Sequence, residues 1–130
     1  MTNLAQKYGF TSSQLDSMVN RAFDLVEAGE LDSAEIILDG LLVLAPTNAR
    51  FHAALGAVRH QQGKLEEASC SYERALTLDA GSVLALVNLG ELRCQRGDMG
   101  GLDDLRKAAQ PKSPVRTKAE ALLRRFGAVS

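Results

Sequence analysis

The chain has 130 residues, of which 45% are hydrophobic and 24% charged, and its formal net charge at pH 7 is −1. A chain of this length fits one domain. No stretch reaches the roughly 20 consecutive apolar residues of a membrane span, and residues 1–10 lack the apolar run of a secretory signal. Composition therefore predicts a one-domain cytoplasmic protein without a membrane span.

The first 14 residues carry scattered apolar side chains rather than a long periodic pattern. Leu4, Tyr8 and Phe10 are candidate contacts in a homodimer. The same segment could instead dock on the elements that follow it. Both alternatives are compatible with its apolar content.

Three glycines spaced 34 residues apart, Gly29, Gly63 and Gly97, organise the next hundred residues. Small or apolar residues recur at fixed offsets around them: Ala22, Gly56 and Gly90; Leu31, Leu65 and Met99; Ala34, Ala68 and Leu102. A constant period of this length indicates a stack of repeated supersecondary units. Apolar residues follow helical spacing within each unit, which predicts helices.

The middle unit, residues 49–82, resembles a tetratricopeptide repeat. The residues that carry the resemblance are Leu55-Gly56, Gly63-Lys64-Leu65, Ala68, Tyr72, Ala75 and Leu78-Asp79-Ala80. The resemblance implies an all-α, right-handed solenoid of three helix-turn-helix repeats, at residues 15–48, 49–82 and 83–114.

The first and third units depart from this pattern. Unit one has Leu38 where unit two has Tyr72, and unit three has Arg106 there, with Leu102 in place of the alanine. The Gly100-Gly101 pair predicts that the second helix of unit three begins late or frays, because each glycine costs about 1 kcal/mol in a helix.

Residues 115–130 are predicted to form a C-terminal capping helix. Its apolar stripe consists of Val115, Ala119, Leu122, Leu123 and Phe126. Residues 105–130 carry seven basic side chains and one acidic one, whereas residues 1–104 carry eight and fifteen. These basic side chains could contact phosphates or an acidic partner. We favour the alternative that they form the solvated face of the cap, since no aromatic residues alternate with the charges.

Catalytic and metal-binding constellations are missing from the sequence. The two histidines, His52 and His60, are eight residues apart on one helix, whereas a helical metal pair has a spacing of three or four. Cys70 and Cys94 are isolated thiols. We therefore expect a protein that is not an enzyme and has no cofactor and no metal.

Function is expected on the concave surface formed by the first helices of the repeats. The residues at positions two, five, nine and twelve of each repeat are predicted to line a peptide-binding groove. Position twelve of unit three is Cys94. The candidate groove residues are Asp16, Val19, Phe23, Val26, Arg50, Ala53, Ala57, His60, Leu84, Val87 and Glu91. The row is mostly apolar, which suits an extended peptide with apolar side chains. Val19, Phe23 and Val87 could equally pack between helices.

Size, repeat number and the segment at residues 49–57, ARFHAALGA, together resemble the translocator-class chaperones of type III secretion. This resemblance implies a cytoplasmic chaperone that holds an extended apolar segment of a secreted translocator in its groove, with an N-terminal helix that supports dimerisation. A generic adaptor that scaffolds folded proteins is the alternative. The expected partner is a protein or peptide, with nucleic acid disfavoured.

Overall fold

The computed structural model describes residues 4–127, which form helices joined by short turns. The eight helices of this range are α1 (Leu4–Lys7), α2 (Ser12–Glu27), α3 (Leu31–Leu44), α4 (Ala49–Gln61), α5 (Leu65–Leu78), α6 (Val83–Gln95), α7 (Gly101–Ala108) and α8 (Arg116–Gly127). None of these helices is long and apolar enough to cross a membrane. Residues 1–3 and 128–130, the outer ends of the predicted N-terminal segment and cap, lie outside the described range.

The helices pack as three antiparallel pairs, with α2 on α3 (unit one), α4 on α5 (unit two) and α6 on α7 (unit three). Each second helix also packs on the first helix of the next unit, and α4, α6 and α8 lie side by side. α2 begins three residues before the predicted start of unit one. α8 thus occupies the place that the first helix of a fourth unit would take.

The three glycines with the 34-residue spacing end the first helix of each unit. Their φ angles are 80°, 80° and 82°, in the left-handed region that glycine enters without a steric penalty. In unit two, the backbone N–H of Lys64 donates to the Arg59 carbonyl, and the N–H of Gly63 donates to the His60 carbonyl. These bonds close the helix end, so the chain turns back at the same point in every unit.

The first helix of each unit begins at a side-chain cap, whereas the second helices have no side-chain cap among the described residues. Thr11 and Gln14 form a capping box at α2, in which each side chain accepts a hydrogen bond from the other's backbone N–H. Asn48 and Ser82 accept hydrogen bonds from the third backbone N–H of α4 and α6 respectively. Each first helix therefore begins at a position fixed by the sequence.

The two helices of units two and three cross closely at a glycine. A Cβ atom at Gly56 would lie 2.6 Å from the Tyr72 ring, and one at Gly90 would lie 2.9 Å from Leu105. A Cβ atom at Gly101 would lie 2.4 Å from the Gly90 carbonyl oxygen. Glycine at these crossings is therefore a packing requirement.

The predicted register of the second helix in unit three is wrong by one residue. The repeat spacing places Leu102 and Arg106 at the positions that Ala68 and Tyr72 occupy in unit two. In the structure, Gly101 and Leu105 are buried at these positions instead. Ala108 is fully buried in the same series, at the position of Ala75. Unit three is thus one residue shorter before α7, and Arg106 lies on the exposed face rather than in the helix crossing.

The late start predicted for this helix is confirmed. α7 has 8 residues, whereas α3 and α5 have 14 each. The Asp98 carboxylate accepts a hydrogen bond from the backbone N–H of Gly100 at 2.9 Å, which holds the preceding residues in a turn.

Polar contacts link neighbouring units along one edge. Arg59 of α4 contacts Glu35 of α3 at 3.3 Å and donates to the Ser71 hydroxyl of α5 at 2.9 Å. Burial raises the pKa of Glu35, but hydrogen bonds from Lys64, Gln62 and Arg59 outweigh it and leave the pKa below its usual value. The Glu35 carboxylate is therefore a charged junction between units one and two.

We predict that Gly56→Ala destabilises the protein by about 1–3 kcal/mol, because the new methyl group overlaps the Tyr72 ring. Gly40→Ala is the matched control, since Gly40 lies within helix α3 and no atom lies within 4 Å of its added Cβ. That variant should gain about 0.5–1 kcal/mol. Urea unfolding followed by circular dichroism measures both, and equal free energies for the two variants would contradict the crossing geometry.

Candidate functional site

The eleven predicted groove residues divide by burial into three groups. Asp16, Phe23, Arg50 and Leu84 are exposed, and Val26, Ala57, His60 and Glu91 are partly buried. Val19, Ala53 and Val87, which share repeat position five, are at most 1% exposed. Position five therefore contributes to the core between the helices and offers no surface to a ligand, and Cys94 at position twelve is buried as well.

Four of the predicted residues lie together in one cavity of about 300 Å³ at the junction of units two and three. They are Ala57, His60, Leu84 and Glu91. The remaining exposed or half-buried groove residues, Asp16, Phe23, Val26 and Arg50, lie outside this cavity, toward unit one. The structure thus places a defined pocket at one part of the predicted row.

Four further residues line the cavity without having been predicted. Gln61 and Asn88 belong to the first helices, Tyr72 to α5 and Lys118 to α8. The sequence places Tyr72 among the residues that carry the repeat resemblance, and Lys118 on the basic end of the chain. A signal for Asn88 existed in the sequence, because it is the one polar side chain on an otherwise apolar segment of α6.

The Tyr72 ring is held rigidly beneath the cavity. It packs over Gly56 and meets the His60 ring edge-on, with 6.4 Å between ring centroids and 77° between planes. The side chain is fully buried, and its hydroxyl forms no hydrogen bond of acceptable geometry with the described residues. Burial, and then the negative charge of Glu91, raise the pKa of Tyr72, while the nearby Asn88 amide acts in the opposite direction. The hydroxyl therefore stays protonated, but it is buried and offers no surface to a ligand.

Charges along the row compensate one another. Arg50 donates to the Asp16 carboxylate at 2.9 Å, which joins units one and two across the row. At the other end, the Lys118 ammonium lies 3.7 Å from a Glu91 carboxylate oxygen and donates to the Asn88 side-chain oxygen at 3.3 Å. A charged ligand would have to compete with these internal pairs, so the arrangement favours a neutral segment.

The described residues contain no cluster of three or more His, Cys, Asp or Glu side chains that could hold a metal ion. What the cavity offers is the apolar side chains of Ala57 and Leu84 beside the amides of Gln61 and Asn88. Such groups bind a peptide through its side chains and main chain.

Comparison with known proteins gives mainly structural neighbours. No family model matches the chain. One curated protein, the protein adenylyltransferase fic-1 of Caenorhabditis elegans, is 37% identical over 59 residues. That match covers 45% of this chain and only 12% of fic-1, so it concerns a small part of that protein.

Several solved structures align with nearly the whole length of this chain. The type III secretion translocator chaperone SycD of Yersinia enterocolitica aligns with a TM-score of 0.85 at 21% identity and covers 99% of both chains. PcrH, whose structure is known from Pseudomonas aeruginosa, aligns in its complex with the chaperone binding region of PopD with a TM-score of 0.78 and 27% identity. This alignment covers 92% of our chain and 96% of PcrH. The structure of PcrH with the chaperone binding region of PopB aligns with a TM-score of 0.73 at 28% identity. This alignment covers 92% of our chain and 97% of PcrH.

We predict that Tyr72→Phe leaves the free energy of unfolding of the free protein unchanged or raises it by up to about 1 kcal/mol. The reason is that the substitution removes a buried hydroxyl without a partner. Ser71→Ala is the control, because the Ser71 hydroxyl is also buried but accepts a hydrogen bond from Arg59. It should cost about 1 kcal/mol. Urea unfolding compares the two, and a clear loss in Tyr72→Phe would show that its hydroxyl is already satisfied.

The all-helical fold predicted from the sequence is thus confirmed. The chain has the tetratricopeptide-like helical fold of the translocator chaperones SycD and PcrH, the class that its sequence resembles.

Proposed function

We propose that this protein is a non-enzymatic chaperone of the bacterial cytoplasm that holds an extended apolar segment of a secreted translocator. The observation that carries the proposal is the cavity lined by Ala57, Leu84 and the amide of Asn88, in a fold shared with PcrH. PcrH has been solved with the chaperone binding regions of PopD and PopB.

The chemistry of the row supports an extended, neutral ligand. Phe23 and Leu84 are 38% and 36% exposed, a large fraction for apolar side chains on first helices. They lie near opposite ends of the row, on units one and three. A ligand that covers both must be elongated, and separate apolar side chains would fill the two places.

The Asn88 side-chain amide gives the ligand a polar anchor, because it lines the cavity and is only partly buried. An extended peptide presents an unpaired main-chain carbonyl at every residue. A carbonyl oxygen in the cavity would accept a hydrogen bond from the Asn88 amide nitrogen, whereas a carboxylate there would have to compete with Glu91 for Lys118. Main-chain recognition of this kind tolerates different side-chain sequences.

We predict that Leu84→Ala and Phe23→Ala each weaken binding of a translocator segment about tenfold, since a buried apolar side chain contributes about 1.5 kcal/mol or more. Val43→Ala is the matched control, because Val43 is 65% exposed on the second helix α3. The probes are the fluorescein-labelled chaperone binding regions of PopD and PopB, and fluorescence anisotropy measures the dissociation constants.

Two results would contradict the proposal in different ways. A folded wild-type protein that binds neither probe saturably rules out the translocator function. Binding that is equally strong in the wild type, Leu84→Ala and Phe23→Ala retains the function but removes the groove as its site.

We also propose that the N-terminal segment contacts a second copy of the chain. Ala5 is 2% exposed and packs into the core of unit one, so the segment does dock there. Leu4, Tyr8 and Phe10 nevertheless remain 36%, 67% and 37% exposed. SycD has been solved in a form described as an alternative dimer.

Deletion of residues 1–10 is expected to convert a dimer into a monomer, because it removes this exposed apolar surface. Light scattering coupled to size exclusion measures the mass. Tyr8→Ser with Phe10→Ser is the companion variant that leaves Ala5 in place. A full-length chain that is monomeric, or variants that stay dimeric, would refute the contact.

A further inference from the structure

The C-terminal end of the chain has more positive charge than its own carboxylates neutralise. Three of the seven basic side chains have partners: Arg106 with Asp103 at 2.8 Å, Arg116 with Glu120 at 2.8 Å, and Lys118 with Glu91. The other four lie within 4 Å of no carboxylate of the described residues. They are Lys107, Lys112, Arg124 and Arg125.

Two of these unpaired side chains, Lys107 and Lys112, line the same cavity. It has a volume of about 480 Å³ and lies where the turn before α6, the start of α6, the end of α7 and the turn before α8 meet. Its lining residues are Ala80, Gly81, Val83, Leu86, Lys107, Gln110, Lys112, Ser113 and Pro114. It shares none of them with the groove cavity.

The combination of apolar walls and uncompensated positive charge sets this cavity apart from the others described. The groove cavity contains Glu91, and the two remaining cavities contain Glu30 with Asp32, and Glu66 with Glu73 and Asp98. In the C-terminal cavity the two lysines are the charged lining residues, and Val83, Leu86 and Pro114 supply the apolar wall.

We propose that this cavity is a second docking site, which binds an acidic protein segment carrying an apolar side chain. The apolar side chain would enter between Val83, Leu86 and Pro114, and flanking carboxylates would pair with Lys107 and Lys112. The two lysine ammonium groups meet no competing carboxylate in the lining, so charge complementarity favours an anionic partner. The proposal is independent of the groove and its ligand.

A protein segment fits the cavity better than a nucleic acid does. Most of the surface that lines the cavity is apolar, and a phosphate backbone has no apolar groups to cover it. No aromatic side chain is present in the lining to stack on a base. Two lysines also supply few of the phosphate contacts on which nucleic-acid affinity depends.

The test is a titration of the full-length, isotopically labelled protein with the acetylated peptide EELEELEE, followed by amide NMR spectra. The expected result is shift changes at Gly81, Val83, Leu86 and Gln110, with weakening as salt rises from 50 to 300 mM. The peptides EESEESEE and KKLKKLKK, which lack the apolar residues and the negative charge respectively, should bind at least about fivefold more weakly.

Lys107→Glu with Lys112→Glu should weaken EELEELEE about tenfold or more, since each reversal replaces an attraction by a repulsion. Arg21→Glu with Arg74→Glu is the control, because it makes the same change of net charge at exposed residues outside the cavity. Circular dichroism confirms folding of both double variants.

Four outcomes would overturn the proposal: no shift at 2 mM peptide, shifts that map elsewhere, equal binding of KKLKKLKK, or equal loss in the control variant. A 20-base-pair DNA duplex is titrated in parallel at 150 mM salt. Shifts of the same amides by DNA, with none by the peptide, would assign the surface to nucleic acid instead.

Discussion

The close approach of the two helices within a unit is the constraint on which both the fold and the site depend. In unit two it requires a residue without a side chain at Gly56, because the Tyr72 ring fills the space that a Cβ would occupy. The ring cannot shift without opening the helix pair, since interiors are close-packed. The ring consequently lies at a fixed place beneath the cavity, with its hydroxyl buried. The packing rule that forms the repeat therefore also fixes the base of this cavity.

Stacking of the units follows a second repeated interaction. Arg59 contacts Asp39 of the preceding unit and Ser71 of its own, and Arg93 contacts Glu73 and Asp104 at the corresponding places. Because unit three is one residue shorter before α7, Arg106 occupies the position that Asp39 has in unit one and Glu73 has in unit two. The acidic partner that a further unit would need is therefore replaced by a cation. The stack ends there, α8 covers the last pair, and positive charge remains unneutralised at that end of the molecule.

Much of this architecture follows from the sequence because it depends on local chemistry. The turn glycines and the caps act within a few residues, so their spacing predicts the three units. The register of α7 depends instead on which of two neighbouring residues fits against Gly90, and only Gly101 allows the backbones to approach. Position five illustrates another limit. Helical spacing places Val19, Ala53 and Val87 in line with the groove residues, but whether that line faces solvent or the next helix depends on how the units rotate against each other.

Lys118 could not be assigned from the sequence for a similar reason. It belongs to a helix outside the repeats, and its place in the groove results from α8 packing beside α6 in the row of first helices. Its ion pair with Glu91 leaves the groove cavity without an uncompensated carboxylate or ammonium group among its described lining residues. The C-terminal cavity has the opposite character, since its lysines have no internal partners and act at a distance on anionic groups. A groove whose charges are paired gives little attraction before contact, whereas a basic surface attracts acidic partners before contact. A partner with both an acidic and an apolar segment would thus associate faster because of the basic C-terminal cavity. Its complex would last longer because of contacts in the groove.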